Sequence, residues 1–237
     1  MKLSGKRVVV IGGTSGIGFA VAEGAAAEGA DVVIASSSKE RVESALGRLP
    51  AGVDGRVLDV TREEEVAEFF TALGPFDHLA FTAGDPLQSK RFETTTVAEA
   101  HDFFEVRFWG AYAVARYGAA TVNPGGSFVL SSGGQGERPR KGWPAAAAEA
   151  AAAEALARAL ALQLAPVRVN VVRPGPIWTE IWQSFPKPEE MFTALGSKLP
   201  VGRGGRPEEA AAAYLYLMKQ DFATGTVLAV DGGSPLP

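Results

Sequence analysis

Apolar residues along this chain follow two alternating rhythms. Short runs rich in Val, Ile, Leu and Phe fall at residues 6–11, 31–35, 55–58, 77–82 and 126–130. Runs of this kind suit strands that are buried on both faces. Between them lie helical stretches at 17–28, 39–48, 63–73 and 97–117. Residues 167–172 and 226–230 read as two more strands. The alternation predicts an α/β architecture: one doubly wound domain over 1–237, with a seven-stranded parallel sheet flanked by helices. Right-handed crossovers and a reversal of strand order would put the ligand crevice at the carboxyl ends of the strands.

Two segments stand apart from this alternation. Residues 144–164 are nearly all Ala, Glu, Leu, Arg and Gln, the strongest helix formers, with Glu154 and Arg158 four apart. Their small side chains would let another helix approach closely, so a contact between subunits is expected there. Residues 174–207 are rich in Pro and Gly and carry Trp178, Trp182, Phe185, Met191 and Phe192 among polar neighbours. This stretch starts at a strand's carboxyl end, and we read it as an irregular lid over the crevice.

Composition narrows the function classes. The chain has 237 residues, 46% of them hydrophobic, enough for one sizeable core. A net charge of -4 gives no basic footprint for nucleic acid. No apolar run approaches membrane-spanning length. The first ten residues enter the first strand without a signal-peptide cleavage site. The absence of cysteine excludes disulfides and thiolate metal sites. These features lead us to expect a cytoplasmic protein without membrane partners. His78 and His101, the only histidines, read as structural, and no metal is expected.

Candidate chemistry begins at the turn after the first strand, Gly12-Gly13-Thr14-Ser15-Gly16-Ile17-Gly18. Gly12 permits the tight turn and Gly16 lets the backbone approach a pyrophosphate. Gly18 lets helix and strand pack closely. The N–H groups at the start of the next helix favour phosphate charge.

Together with pieces farther along, this turn resembles the short-chain dehydrogenase/reductase family over essentially the whole chain. IGGTSGIG at 11–18 is similar to the family's TGxxxGIG. Asp59 and Val60 look like its adenine-contacting pair. Thr82, Ala83 and Gly84 look like its Asn-Ala-Gly motif, with Thr for Asn. Ser131 and Ser132 fall at its substrate-side serine, which we place at Ser132. Asn170, Pro174, Gly175, Ile177 and Thr179 resemble the segment that holds the nicotinamide amide. Gly225 and Asp231-Gly232-Gly233 resemble its terminal motif. The resemblance implies a dinucleotide held by Gly12, Thr14, Ser15, Gly16 and Ile17, then by Asp59, Val60, Thr82, Ala83 and Gly84, and finally by Pro174, Gly175, Ile177 and Thr179. It also implies a homodimer or homotetramer built through the fourth and fifth helices.

The end of the second strand reads Ser36, Ser37, Ser38, then Lys39 and Arg41, with no carboxylate. Hydroxyls and a nearby cation suit a 2′-phosphate, so NADP(H) is expected rather than NAD(H). The serines also suit a helix cap.

The resemblance breaks at the reaction itself. The family's Tyr-x-x-x-Lys would fall on Ala146 and Ala150, or one residue earlier on Ala145 and Glu149, and residues 144–164 contain neither tyrosine nor lysine. The family's helix-four asparagine falls on Arg107. A positioned general acid or base is worth about 10²–10⁴-fold in rate. Two readings therefore stand. In one, the chain is an oxidoreductase acting on a small carbonyl or alcohol through a rearranged site. Ser132 and Arg107 are then the candidate catalytic residues, and Trp143 and Trp178 the substrate contacts. Arg107 sits among Phe103, Phe104, Phe108 and Trp109, so it requires an anionic partner. In the other, the chain binds NADP(H) without turnover, as a sensor or partner subunit. The readings differ in whether a cavity bordered by Ser132 and Arg107 stays open or is filled by Trp143 or Trp178.

Overall fold

The computed structural model describes residues 3–84 and 92–236. Seven strands form one parallel sheet: β1 (Arg7–Ile11), β2 (Asp31–Ser36), β3 (Asp54–Val57), β4 (Phe76–Phe81), β5 (Val122–Ser131), β6 (Arg168–Pro174) and β7 (Val227–Val230). Their order is β3-β2-β1-β4-β5-β6-β7. The chain winds outward in one direction through β3, returns to β4 beside β1, and winds out the other way. That reversal opens a crevice between the ends of β1 and β4, as the strand pattern implied.

The strands are buried on both faces, and successive residues feed opposite cores. Val9, Ile11, Leu79, Phe128 and Val171 face one side. They pack there on helices α3 (Glu63–Leu73) and α5 (Ala111–Gly118) and on α6 (Pro144–Gln163). Val8, Val10, Ala80, Val129 and Val172 face the other side. They meet α1 (Gly16–Ala27), α2 (Lys39–Leu46) and α8 (Pro207–Lys219). His78 belongs to this scaffold: its Nδ1 lies 2.9 Å from Ser127 Oγ, and burial pushes its pKa down to about 4.

Two regions differ from the sequence pattern. Residues 97–117 do not form one helix. They run as α4 (Val97–Phe104), a π-helical segment Glu105–Gly110, and then α5. A π turn inserts one residue without disturbing apolar spacing on either side, so periodicity could not reveal it. Residues 174–207 are also more ordered than an irregular lid. A bridge between Ile177 and Gly205 ties the excursion at its base. A 3₁₀ turn, Glu180–Ser184, and helix α7 (Pro188–Gly196) fill it. Trp178, Trp182 and Phe192 pack edge to face at centroid distances of 5.1 Å, which gives the excursion a small core of its own.

Candidate active site

The carboxyl ends of β1, β4, β5 and β6 open into a single long cleft of about 1180 Å³. At one end lies the glycine turn. Gly12 holds φ at +88°, and a Cβ there would sit 2.5 Å from the Ala83 backbone nitrogen. Only glycine fits this close crossing of two chain segments. Helix α1 starts with Ser15 at its N-cap, but no side chain caps it, and its first turn carries no acidic residue. Its leading N–H groups therefore face the cleft free of side-chain caps. That is the donor arrangement a diphosphate needs, so the residues present fit a dinucleotide.

The remaining sequence-predicted contacts distribute along the same cleft. Thr14, Ser15, Gly16 and Ile17 line it near α1, and Asp59 and Val60 beyond β3. Thr82, Ala83 and Gly84 follow β4, with Thr82 Oγ1 donating to the Ile11 carbonyl at 3.0 Å. Pro174, Gly175, Ile177 and Thr179 border the far wall. Ser36, Ser37 and Arg41 line the end beside β2, where Arg41 Nη2 donates to Ser37 Oγ at 3.3 Å. Ser38 does not line the cleft. Its hydroxyl accepts the Arg41 backbone N–H at 3.2 Å and caps α2, so of the two roles available to that serine it takes the structural one.

At the opposite end, Ser132 and Arg107 border the same space with Ala146, Glu149 and Ala150 of α6. Ser132 Oγ donates to Glu154 Oε1 at 3.0 Å. Glu154 is gripped in turn by Arg173, whose Nε and Nη2 reach its two oxygens at 2.7 and 3.1 Å; Arg173 also pairs with Glu137. The Ser132 hydrogen is thus used inside the protein, and the hydroxyl faces the cleft as an acceptor. Arg107 leans over Gly84, where an added Cβ would stand 2.5 Å from its Cζ. Arg107 and Glu149 line the same space, and the Arg107 charge pulls the Glu149 carboxyl downwards against burial.

Glu149 is the residue that sequence reasoning missed. It is 6% exposed, and burial pushes its carboxyl up to about 7 against the opposing pull of Arg107. The available signal was its spacing. Glu149 follows Ala146 by three residues and precedes Ala150 by one, so it shares their face of the helix.

The two tryptophans lie elsewhere. Trp143 borders a second, smaller cavity of about 390 Å³, between the segment after β5 and α7. Trp178 packs on Phe192 and does not line the main cleft. The lid residue that reaches both spaces is Trp182, whose Nε1 donates to the Ile177 carbonyl at 2.7 Å. Neither Trp143 nor Trp178 fills the space beside Ser132 and Arg107.

Known proteins resemble the chain over nearly its full length. A family model described as enoyl-(acyl carrier protein) reductase matches residues 12–234. The short-chain dehydrogenase/reductase fsr5 of Gibberella fujikuroi is 36% identical, over 99% of this chain and 96% of its own. The chain belongs to the short-chain dehydrogenase/reductase family. Among solved structures, the MalC reductase/Diels-Alderase of Malbranchea aurantiaca superposes with a TM-score of 0.91 at 33% identity, over 99% of this chain and 98% of its own. A small-chain dehydrogenase in complex with NADPH superposes with a TM-score of 0.83 at 32% identity, covering 98% of this chain and 99% of its own. The fold is thus that of a family of oxidoreductases, and α6 faces the cleft with Ala146, Glu149 and Ala150.

Proposed function

We propose that this chain is an NADP(H)-dependent oxidoreductase that interconverts a small carbonyl and its alcohol through a rearranged catalytic site. One observation carries the reading. An open cleft runs unbroken from the uncapped start of α1 to Ser132 and Arg107, leaving room for a substrate where a pure binding protein would be filled. When bound, the reduced nicotinamide supplies the hydride. The chain's own groups hold and orient. The glycine turn and α1 face the phosphates, Asp59 and Val60 the adenine, and Pro174 to Thr179 the nicotinamide amide. Ser36, Ser37 and Arg41 gather two hydroxyls and a cation, without a carboxylate, where a 2′-phosphate would lie. The NADPH complex of the structural relative supports the same preference. Arg107 stands where it can stabilise negative charge on a substrate oxygen.

We also propose a homo-oligomer joined through α4–α5 and α6. Trp109, Tyr112 and Leu162 on these helices are 53%, 47% and 85% exposed, apolar side chains that a partner subunit would cover. The cysteine-free composition suits a reducing compartment, and we place the protein in the cytoplasm.

Titration with NADPH and NADH, followed by nicotinamide fluorescence, tests the cofactor. A stopped-flow panel of carbonyl compounds on the same sample tests the reaction. Tight NADPH binding with cofactor oxidation by a carbonyl is the expected result. Binding without oxidation across the panel would replace the enzyme by a sensor or partner subunit. Binding of neither cofactor would overturn the reading from the glycine turn onward.

A further inference from the structure

Reduction of a carbonyl needs a proton as well as a hydride, and the family's tyrosine and lysine are missing from α6. The described residues lining the cleft include no tyrosine and no lysine. Tyr214 is fully buried, with its hydroxyl 2.6 Å from Ser131 Oγ, outside the cleft. The Ser132 hydrogen is given to Glu154. What the cleft does present is a carboxyl. Glu149 is nearly inaccessible, lies on the face of α6 that carries Ala146 and Ala150, and lines the same cleft as Arg107.

We propose that the Glu149 carboxyl is the proton donor of carbonyl reduction in this chain, with Arg107 positioned to receive charge on the substrate oxygen. The inference rests on the oxidoreductase reading above. The balance is simple. The carbonyl carbon gains a hydride and the C=O π pair moves onto oxygen. That oxygen then takes the Glu149 proton, and the product is an alcohol. Glu149 is left as a carboxylate in the cleft that Arg107 also lines, and water in the open cleft returns its proton. Alcohol oxidation runs the same transfers backwards, with Glu149 as the base.

The environment suits this task. A general acid works best when its proton is held near the working pH. Burial raises the Glu149 carboxyl towards neutrality, and Arg107 keeps the shift from going further. Arg107 is the charge that acts on it from the π-helical segment. The other charged groups that line the cleft from the packed elements include Glu99, Asp102 and Glu105 from α4 and the π-helical segment, and α4 and α6 also carry His101 and Arg158. Arg138 and Arg140 come from the segment after β5, and the Glu154–Arg173 pair from α6 and β6. Of the acidic side chains lining the cleft, only Glu149 is buried.

The test compares the full-length wild type with Glu149→Gln and Glu149→Asp. The first readout is independent of turnover: ¹³C NMR of glutamate side chains in the cofactor-free protein. A carboxyl that titrates near neutral pH and is missing from Glu149→Gln is expected. A spectrum in which all glutamates titrate in the ordinary acidic range overturns the proposal. The second readout is carbonyl reduction with NADPH. Turnover should fall on the alkaline side of the same titration, drop by about 10²-fold or more in Glu149→Gln, and recover in part in Glu149→Asp. NADPH affinity should stay unchanged. A Glu149→Gln enzyme with wild-type turnover removes Glu149 from the reaction and leaves the oxidoreductase reading intact. A wild type that binds NADPH but reduces no carbonyl overturns that reading, and the donor role with it.

Discussion

Helices α1 and α6 approach the cleft from its two ends, and they solve different problems. The start of α1 presents backbone: a glycine turn, uncapped N–H groups and no acidic side chain. The cleft-facing side of α6 presents side chains, namely Ala146, Glu149 and Ala150. The turn before α1 resembles the family's glycine motif, while residues 144–164, which include α6, contain neither tyrosine nor lysine. Main-chain chemistry is tied to backbone shape, so any change of residue at Gly12 disturbs the fold as well as the ligand. Side-chain chemistry is tied to a direction in space, so a group one position along the same face can take over a task.

The comparison is broken most severely at Gly12. Gly12→Ala forces a Cβ against the Ala83 backbone at positive φ. The variant should lose about 4 kcal/mol of stability, seen as a melting temperature lower by about 10 °C, and should no longer bind NADPH. Wild-type NADPH affinity in this variant would separate the backbone of the turn from the ligand.

Glu149→Gln should act through pH. Between the ordinary carboxyl value of 4.5 and about 7, the folded wild type keeps a proton that the unfolded chain has released, so its stability falls as pH rises through that window. Above it the cost is constant. The variant lacks this slope. Its stability relative to wild type should therefore improve by about 3 kcal/mol from pH 4.5 to pH 8 in urea unfolding. His78 works in the opposite sense: held down to about 4, it costs stability as pH falls below its ordinary 6.5. Both proteins share that term, so it cancels in the difference. A difference that does not change with pH would mean that Glu149 titrates like a surface carboxyl.

Arg41→Ala sharpens the cofactor end. Loss of one charge-assisted contact should weaken NADPH by about tenfold, or about 1.4 kcal/mol, and leave NADH untouched. Equal weakening of both cofactors would move the 2′-phosphate away from Ser37 and Arg41. Ser38→Ala is the mild counterpart. Loss of the α2 cap should cost about 1 kcal/mol, a melting shift of about 2–4 °C, with the NADPH-to-NADH ratio unchanged.

The first half of the fold was legible because its signals are local. The run Arg7–Ile11 is buried almost throughout, and the glycines after it stand at the turn their spacing implied. Most of the cleft-lining residues were legible for the same reason. Helices α7 and α8 were not read, although each opens with Pro and two acidic residues, the ordinary marks of a helix start. They were hidden inside a Pro- and Gly-rich stretch and behind it. In the sequence Glu149 stood out only as the position on which the family's lysine falls in the register shifted by one. Spacing puts it on the cleft-facing side of α6, but its burial and the pull of Arg107 from another element are products of tertiary packing. Neither Trp143 nor Trp178 lines the main cleft: Trp178 packs on Phe192 within the excursion, and Trp143 borders the smaller cavity.

The π-helical turn at Glu105–Gly110 makes the guanidinium at position 107 a matter of counting. An α-helix turns about 100° per residue. Deleting one residue from this turn would let α4 and α5 fuse into a regular helix, at the price of rotating whatever remains before the deletion by roughly that angle. The side chain now leaning over Gly84 would swing out of the cleft while every apolar contact of α5 stayed in place. One residue gained or lost in this turn is therefore enough to redirect the side chain at one end of the site.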